Sequence, residues 1–113
     1  MPPIYHLARG PEWARAAERG VYAGTEEDRA DGYLHFSTAA QIEESAAKHR
    51  AGEADLVLVA CEAEPLGDQL KWEPARGGDL FPHLYGELPM AAVVWVKPLA
   101  LGADGRHQFP PLE

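Results

Sequence analysis

"DGYLHFST", residues 31–38, is the stretch on which the reading of the fold turns. Tyr33, Leu34 and Phe36 favour a pleated, half-buried strand, and the Asp31-Gly32 pair before them is a turn signal. Thr38 and Gln41 have the spacing of a capping box, so the chain passes from strand to helix within a few residues. Side chains alternate along a strand. Tyr33, His35 and Ser37 therefore share one face, and Leu34 and Phe36 share the other. The apolar face is expected to pack on the core and the polar face to line a cleft. His35 builds neither the strand nor the helix start, so it either satisfies a local hydrogen bond or meets a ligand.

Upstream, "PIYHLA" (3–8) reads as a short strand, with Tyr5 and Leu7 pointing one way and Ile4, His6 and Ala8 the other. "GPEWARAAERG" (10–20) reads as a helix, with Pro11 at its first position, Gly20 at its stop and Trp13, Ala16 and Ala17 as its apolar stripe. Residues 23–32 read as a polar connection.

Downstream, a helix is expected from Thr38 through "QIEESAAKHR" to Gly52. "DLVLVACEA" (55–63), "QLKWEP" (69–74) and "AAVVWVKPL" (91–99) read as strands, the first and last of them buried. Residues 75–89 carry too much Gly and Pro for regular structure, and the tail 100–113 is expected to add a short edge strand and then fray. Leu34 and Val94 are expected in the core. The order β-α-β-α followed mainly by strands favours an α+β fold, with a small split mixed or antiparallel sheet and two N-terminal helices, over a doubly wound parallel sheet.

At 113 residues the chain fits a single domain over 1–113, with its core at about 3–99. Hydrophobic residues make up 46% and charged residues 25%, which suits a packed core rather than disorder. The net charge of −8, with no Lys/Arg cluster, argues against a long nucleic acid as partner and leaves a small ligand open. No run is long enough to span a membrane, and "MPPIYHLARG" has neither the basic segment nor the apolar stretch of a secretory signal. The single cysteine, Cys61, excludes an internal disulfide and sits in an apolar run where a thiol is inert. The expected location is cytoplasmic.

Three histidines are candidates for chemistry. His6 and His35 lie mid-strand. His83 lies in "FPHLYG" (81–86), where Pro82 and Gly86 stiffen a connection that also carries Phe81 and Tyr85. His49 and His107 read as solvated. No His-x-His or His-x-x-x-His pair starts a zinc site, and no metal is expected. Ser37 also suits a helix cap, and Glu73 follows Trp72 in "LKWEP".

Taken together, "YHL" near the start, Trp13, Gly20 and Tyr22, "DGYLHFST" with Gln41, and "FPHLYG" resemble an uncharacterised bacterial family, domain-of-unknown-function family 952. The resemblance covers about residues 4–97. That family is similar, distantly, to the ADP-ribosyltransferase-like superfamily, whose small split α+β fold binds NAD between two sheets. The resemblance implies NAD as substrate rather than as a firmly held cofactor, with ADP-ribosyl transfer or NAD cleavage as the reaction. It further implies His6 and His35 as the residues that fix ribose and nicotinamide, with Ser37 two positions on.

For the third residue Glu73, His83 and Glu87 compete, and His83 belongs to the strongest later motif. Tyr33 or Tyr85 would stack on the ring. Leu7 stands where the RNA 2′-phosphotransferases of that superfamily usually carry Gly, and their phosphate-holding arginines have no counterpart here. Two alternatives stand beside the enzyme: a binding module without transfer chemistry, and an interaction protein with structural histidines.

Overall fold

The computed structural model describes residues 2–112, with Arg76 described by its backbone alone. Strand β1 (Ile4–Arg9) leads directly into helix α1 (Gly10–Arg19), which has Pro11 in its first turn. Gly20 closes α1 in the left-handed region at φ 90°, and its N–H bonds to the carbonyl of Ala16. The short strand β2 (Val21–Tyr22) follows, then α2 (Glu26–Asp31), β3 (Leu34–His35) and α3 (Ile42–His49). Strand β4 (Leu56–Cys61) is succeeded by β5 (Leu70–Pro74), β6 (Leu80–Leu84), β7 (Leu88–Pro89), β8 (Val93–Leu101) and β9 (His107–Gln108), with 3₁₀ segments before β5, β6 and β8.

Among the described residues the strands form three sheets, in the orders β1-β4-β8-β9, β3-β6-β5 and β2-β7. Among the described residues every strand pair is antiparallel. The fold is α+β, as the element order predicts. The stretch 34–37 joins the two larger sheets. Leu34 and His35 pair with Leu84 and His83 of β6. Two residues later, Ser37 exchanges both backbone hydrogen bonds with Tyr5 of β1, each at 2.8 Å. One short segment therefore fixes β1 and β6 on either side of it.

Strands β1 and β4 are buried on both faces, which accounts for the near-continuous apolar run in β4. One face contributes Ile4, Ala8, Val59 and Cys61 to a cluster with Trp13, Ala16, Tyr22, Leu34, Phe36, Leu84 and Leu88. The other face contributes Tyr5, Leu58 and Ala60 to a cluster with Ile42 and Leu99. Burial pushes the Cys61 thiol up to about 12, so it is inert at neutral pH.

Several expectations need correction. The polar connection 23–32 contains helix α2, so three α-helices rather than two precede β4. The irregular stretch 75–89 contains β6, the central strand of its sheet. The helix expected from Thr38 to Gly52 is confined to Ile42–His49. Gln41 Oε1 accepts the Thr38 N–H at 3.0 Å, which is half of the expected capping box.

Strand β8, expected to be buried, is mostly half-buried or exposed, with Leu99 its one buried residue, and Val94 is 51% exposed rather than core because the β4–β8 register slips between Ala60↔Trp95 and Cys61↔Val93. Val94 is the extra residue of that bulge and turns outward. Finally, the tail does not simply fray. After β9, Phe109 and Leu112 pack on the second cluster, and His107, expected to be solvated, donates from Nε2 to the Glu53 carbonyl at 2.7 Å.

Candidate functional site

The site is organised by Asp28, a buried carboxylate. Thr25 caps α2: its Oγ1 accepts the Asp28 N–H at 3.1 Å, while Asp28 Oδ2 accepts the Thr25 N–H at 2.9 Å. This is a capping box with Asp at the third position, and it locks the Asp28 rotamer. The other oxygen, Oδ1, faces β3, where it accepts the His35 backbone N–H at 3.1 Å and His35 Nδ1–H at 2.5 Å. His35 Nε2 lies 3.1 Å from Asp31 Oδ2, one helical turn past Asp28.

A carboxylate only accepts, so both ring nitrogens of His35 are donors and the ring is set up as an imidazolium. Its pKa is raised accordingly, chiefly by the hydrogen bond to Asp28. Burial alone would raise the Asp28 pKa. The hydrogen bond from His35, the nearby His6 and the backbone N–H groups outweigh it and hold the carboxyl at about 2.

His6 is treated differently. Its ring is buried, and burial lowers its pKa despite Asp28 Oδ2 at 3.7 Å. Nδ1 lies 2.7 Å from the carbonyl of His35, which can only accept, so Nδ1 carries the proton. The neutral ring's Nε2 then accepts the Tyr22 hydroxyl at 2.8 Å. Burial, chiefly, raises the Tyr22 pKa, and its phenol remains a donor. Tyr22 and Phe36 hold the imidazole from two sides, with ring centroids at 5.2 and 5.4 Å. Both nitrogens of His6 are thus engaged by the protein.

His83 sits on β6 directly opposite His35, not on a loop, and the two ring centroids are 5.6 Å apart. Tyr33 stacks on it at 4.2 Å with planes 24° apart. His83 Nδ1 donates to Glu73 Oε1 at 2.8 Å, and the Tyr85 hydroxyl donates to the same oxygen at 2.7 Å. These two bonds, the one from His83 first, lower the Glu73 pKa, and Tyr85 is pushed up to about 12 by its bond to Glu73.

One cleft of about 630 Å³ is lined by His6, Tyr33, His35, Ser37 and His83. Asp28, Asp31, Glu27 and Arg50 supply its charges. Hydrogen bonding from Arg9, chiefly, holds Glu27 at about 2. Glu73 and Tyr85 stand outside the lining and reach it through His83 and Tyr33. Glu87 is exposed between β6 and β7 and does not join the group. Ser37 is buried, with its hydroxyl 2.9 Å from that of Ser45 on α3. His49 is exposed, as expected, but it lies on the cleft wall.

Sequence reasoning missed Asp28 and Asp31. The signal available was Thr25-x-x-Asp28, a capping-box spacing inside the charged run. Tyr22 carried no local signal for its bond to His6.

Gly24, two residues past Tyr22, is required by this geometry. Its φ is +98°, and a Cβ there would stand 2.8 Å from Asp28 Cβ and 3.2 Å from Leu34 Cδ1. Gly24→Ala is therefore expected to destabilise the fold by at least about 1–2 kcal/mol, the left-handed backbone penalty alone. It should also shift the His35 imidazole resonances, and an urea denaturation series with NMR of the same variant checks both effects.

Among the described residues no helix is long and apolar enough to cross a membrane, and no group of three or more His, Cys, Asp or Glu side chains is placed to hold a metal ion. The fold is closely similar to the crystal structure of protein CC0527 from Caulobacter crescentus. That match has 47% identity, covers 94% of this chain and 93% of that one, and has a TM-score of 0.90. The solution NMR structure of the same protein matches at 47% identity, with 96% and 93% of the two chains covered and a TM-score of 0.84. Comparison with curated proteins finds no match. Residues 7–96 match the family described as "Protein of unknown function (DUF952)", and the chain belongs to that family.

Proposed function

We propose that the cleft binds NAD or a related nucleotide, and that the chain is a single ADP-ribosyltransferase-like domain that transfers ADP-ribose or cleaves the nicotinamide bond. The observation that carries this reading is the convergence of His6, His35, His83 and Tyr33, from distant parts of the sequence, on one cleft of about 630 Å³. That volume suits a cofactor-sized ligand. Tyr33 and His83 form a flat aromatic surface for a base or nicotinamide ring, and Arg50 supplies positive charge for a diphosphate.

When the glycosidic bond breaks, its electron pair leaves with the nicotinamide nitrogen and positive charge develops at the ribose. The carboxylates of Asp28 and Asp31, fixed before the reaction, stabilise that charge. An acceptor hydroxyl or water forms the new bond and gives its proton to the exposed Asp31. His35, with its two ring N–H groups on Asp28 and Asp31, holds these carboxylates toward the ribose. His6, with both nitrogens engaged, positions the His35 backbone, and His83 with Glu73 orients the acceptor.

A second reading, binding without transfer, draws on one feature: Glu73 Oε1 is already occupied by both His83 and Tyr85.

Calorimetric titration with NAD, ADP-ribose and nicotinamide, with nicotinamide release followed in parallel, tests both. The parent is expected to bind NAD or ADP-ribose, and His35→Ala to weaken binding by about 1–3 kcal/mol, because the Asp28 and Asp31 carboxylates lose the donor that orients them. Lys48→Ala, exposed and off the cleft, should match the parent. Failure of the parent to bind any of the three ligands overturns the nucleotide reading. Binding without nicotinamide release selects the second.

A further inference from the structure

On the far side of Tyr22 from the cleft lies a second, smaller groove of about 190 Å³, between α1 and the Tyr22–Gly24 segment leading to α2. Glu12, Arg15 and Arg19 enter it from one face of α1, at helical spacings of three and four. Arg29 of α2 completes it, its Nη1 fixed on the Gly24 carbonyl at 2.6 Å.

The groove gathers three guanidinium groups around one carboxylate, in a chain whose net charge is −8. The groups do not satisfy one another. Glu12 Oε1 is buried without a hydrogen-bond partner. Among the described residues neither Arg15 nor Arg19 forms an ion pair, although Glu12 lines the same groove. A buried acceptor left unmade is unfavourable, and free guanidinium forks beside it match the edge of a tetrahedral oxyanion.

We propose that this groove binds a phosphate that retains an O–H group, with Arg15 and Arg19 on its oxygens and Glu12 accepting its hydroxyl. A carboxylate only accepts, so the ligand facing Glu12 must bring a donor, while its remaining oxygens must be anionic to answer the arginines. Hydrogen phosphate carries both. Sulfate has nearly the same size and charge but no O–H at neutral pH. At about 190 Å³ the groove has room for one such ion.

Because Glu12, Arg15 and Arg19 lie off the main cleft, the inference stands whether or not that cleft takes a nucleotide.

The test is titration of ¹⁵N-labelled protein with inorganic phosphate and with sulfate, at ionic strength held constant with chloride. Saturable shifts of the Tyr22, Ala23 and Gly24 amides are expected with phosphate, and binding of sulfate weaker by about tenfold or more. Arg15→Gln with Arg19→Gln should weaken phosphate by at least that factor. Glu12→Gln should abolish the preference for phosphate over sulfate, with a thermal midpoint no lower than the parent's. Methyl phosphate isolates the O–H: its dianion has no P–O–H and is expected to bind as weakly as sulfate at mildly alkaline pH, whereas binding as tight as hydrogen phosphate's overturns the proposal. Absence of saturable shifts, equal affinity for phosphate and sulfate in the parent, or full phosphate affinity in the double arginine variant overturns the proposal.

Discussion

Asp28→Ala is expected to lower the free energy of unfolding by about 3 kcal/mol, the low end for breaking a buried ion pair from one side. The low end applies because the charge left behind, His35, keeps a side chain 41% exposed and is partly rehydrated. Set against that discount, the substitution strips more than one partner. The Thr25 and His35 backbone N–H groups both lose their acceptor, and α2 loses half of its capping box. Asp31→Ala is the matching control. It removes a carboxylate from the same imidazole, but one that is 54% exposed, so its effect should stay below about 1 kcal/mol. Equal effects from the two substitutions, read by urea denaturation, would show that burial does not distinguish the two carboxylates.

The pH dependence has a definite sign. The Asp28 carboxyl is at about 2 in the folded chain and 3.8 in the reference state, so its contribution is present above about 3.8 and is lost as pH falls toward 2. His35 is raised above 6.5, so its contribution is complete below 6.5 and is lost as pH rises through its folded value. The pair therefore stabilises most between about pH 4 and 6.5. His6 opposes it there: buried and neutral, with its pKa lowered, it favours the unfolded chain as pH falls below 6.5. The difference between parent and Asp28→Asn isolates the pair, and that difference should be largest in the window from about 4 to 6.5.

What the sequence disclosed followed from periodicity and punctuation. Pro11 and Gly20 bound α1 within a residue at each end, and the apolar run at 55–63 contains β4. What it concealed has two physical causes. Helix α2 has six residues, too few for an amphipathic stripe, so its only trace is the Thr25–Asp28 capping pair.

Strand β6 was hidden by Pro82, since proline argues against a central strand. The structure removes the objection. A strand residue directs its N–H and C=O to the same neighbour, and the Pro82 carbonyl accepts the Phe36 N–H at 3.0 Å. The missing donor of Pro82 thus faces the point where residues 36–37 leave β6 and cross to β1. Proline is tolerated there because the ladder is already ending.

The candidate histidines were legible as residue types on alternating strands. Their partners were not, because Asp28 reaches His35 across a turn and Tyr22 reaches His6 from another sheet.

Leu34→Ala is expected to cost about 2–5 kcal/mol, from lost transfer free energy together with the cavity left behind. Leu34 is 4% exposed and packs in the cluster that also holds Tyr22, Phe36, Leu84 and Leu88. Its neighbours limit collapse of that cavity. The backbone is pinned through the pairing with Leu84, and His35, next in sequence, is held by Asp28 through both its N–H and its ring. A site that cannot relax retains its cavity, which places the loss in the upper part of the range. Val94→Ala supplies the contrast, for the sequence marks both positions as core whereas the bulge turns Val94 to solvent. Its effect should remain within about 0.5 kcal/mol. Denaturation midpoints for the two variants settle the assignment: a Leu34→Ala midpoint within error of the parent would mean that the 34–37 segment does not hold the two sheets together, and the position of His35 over the cleft would lose its structural basis.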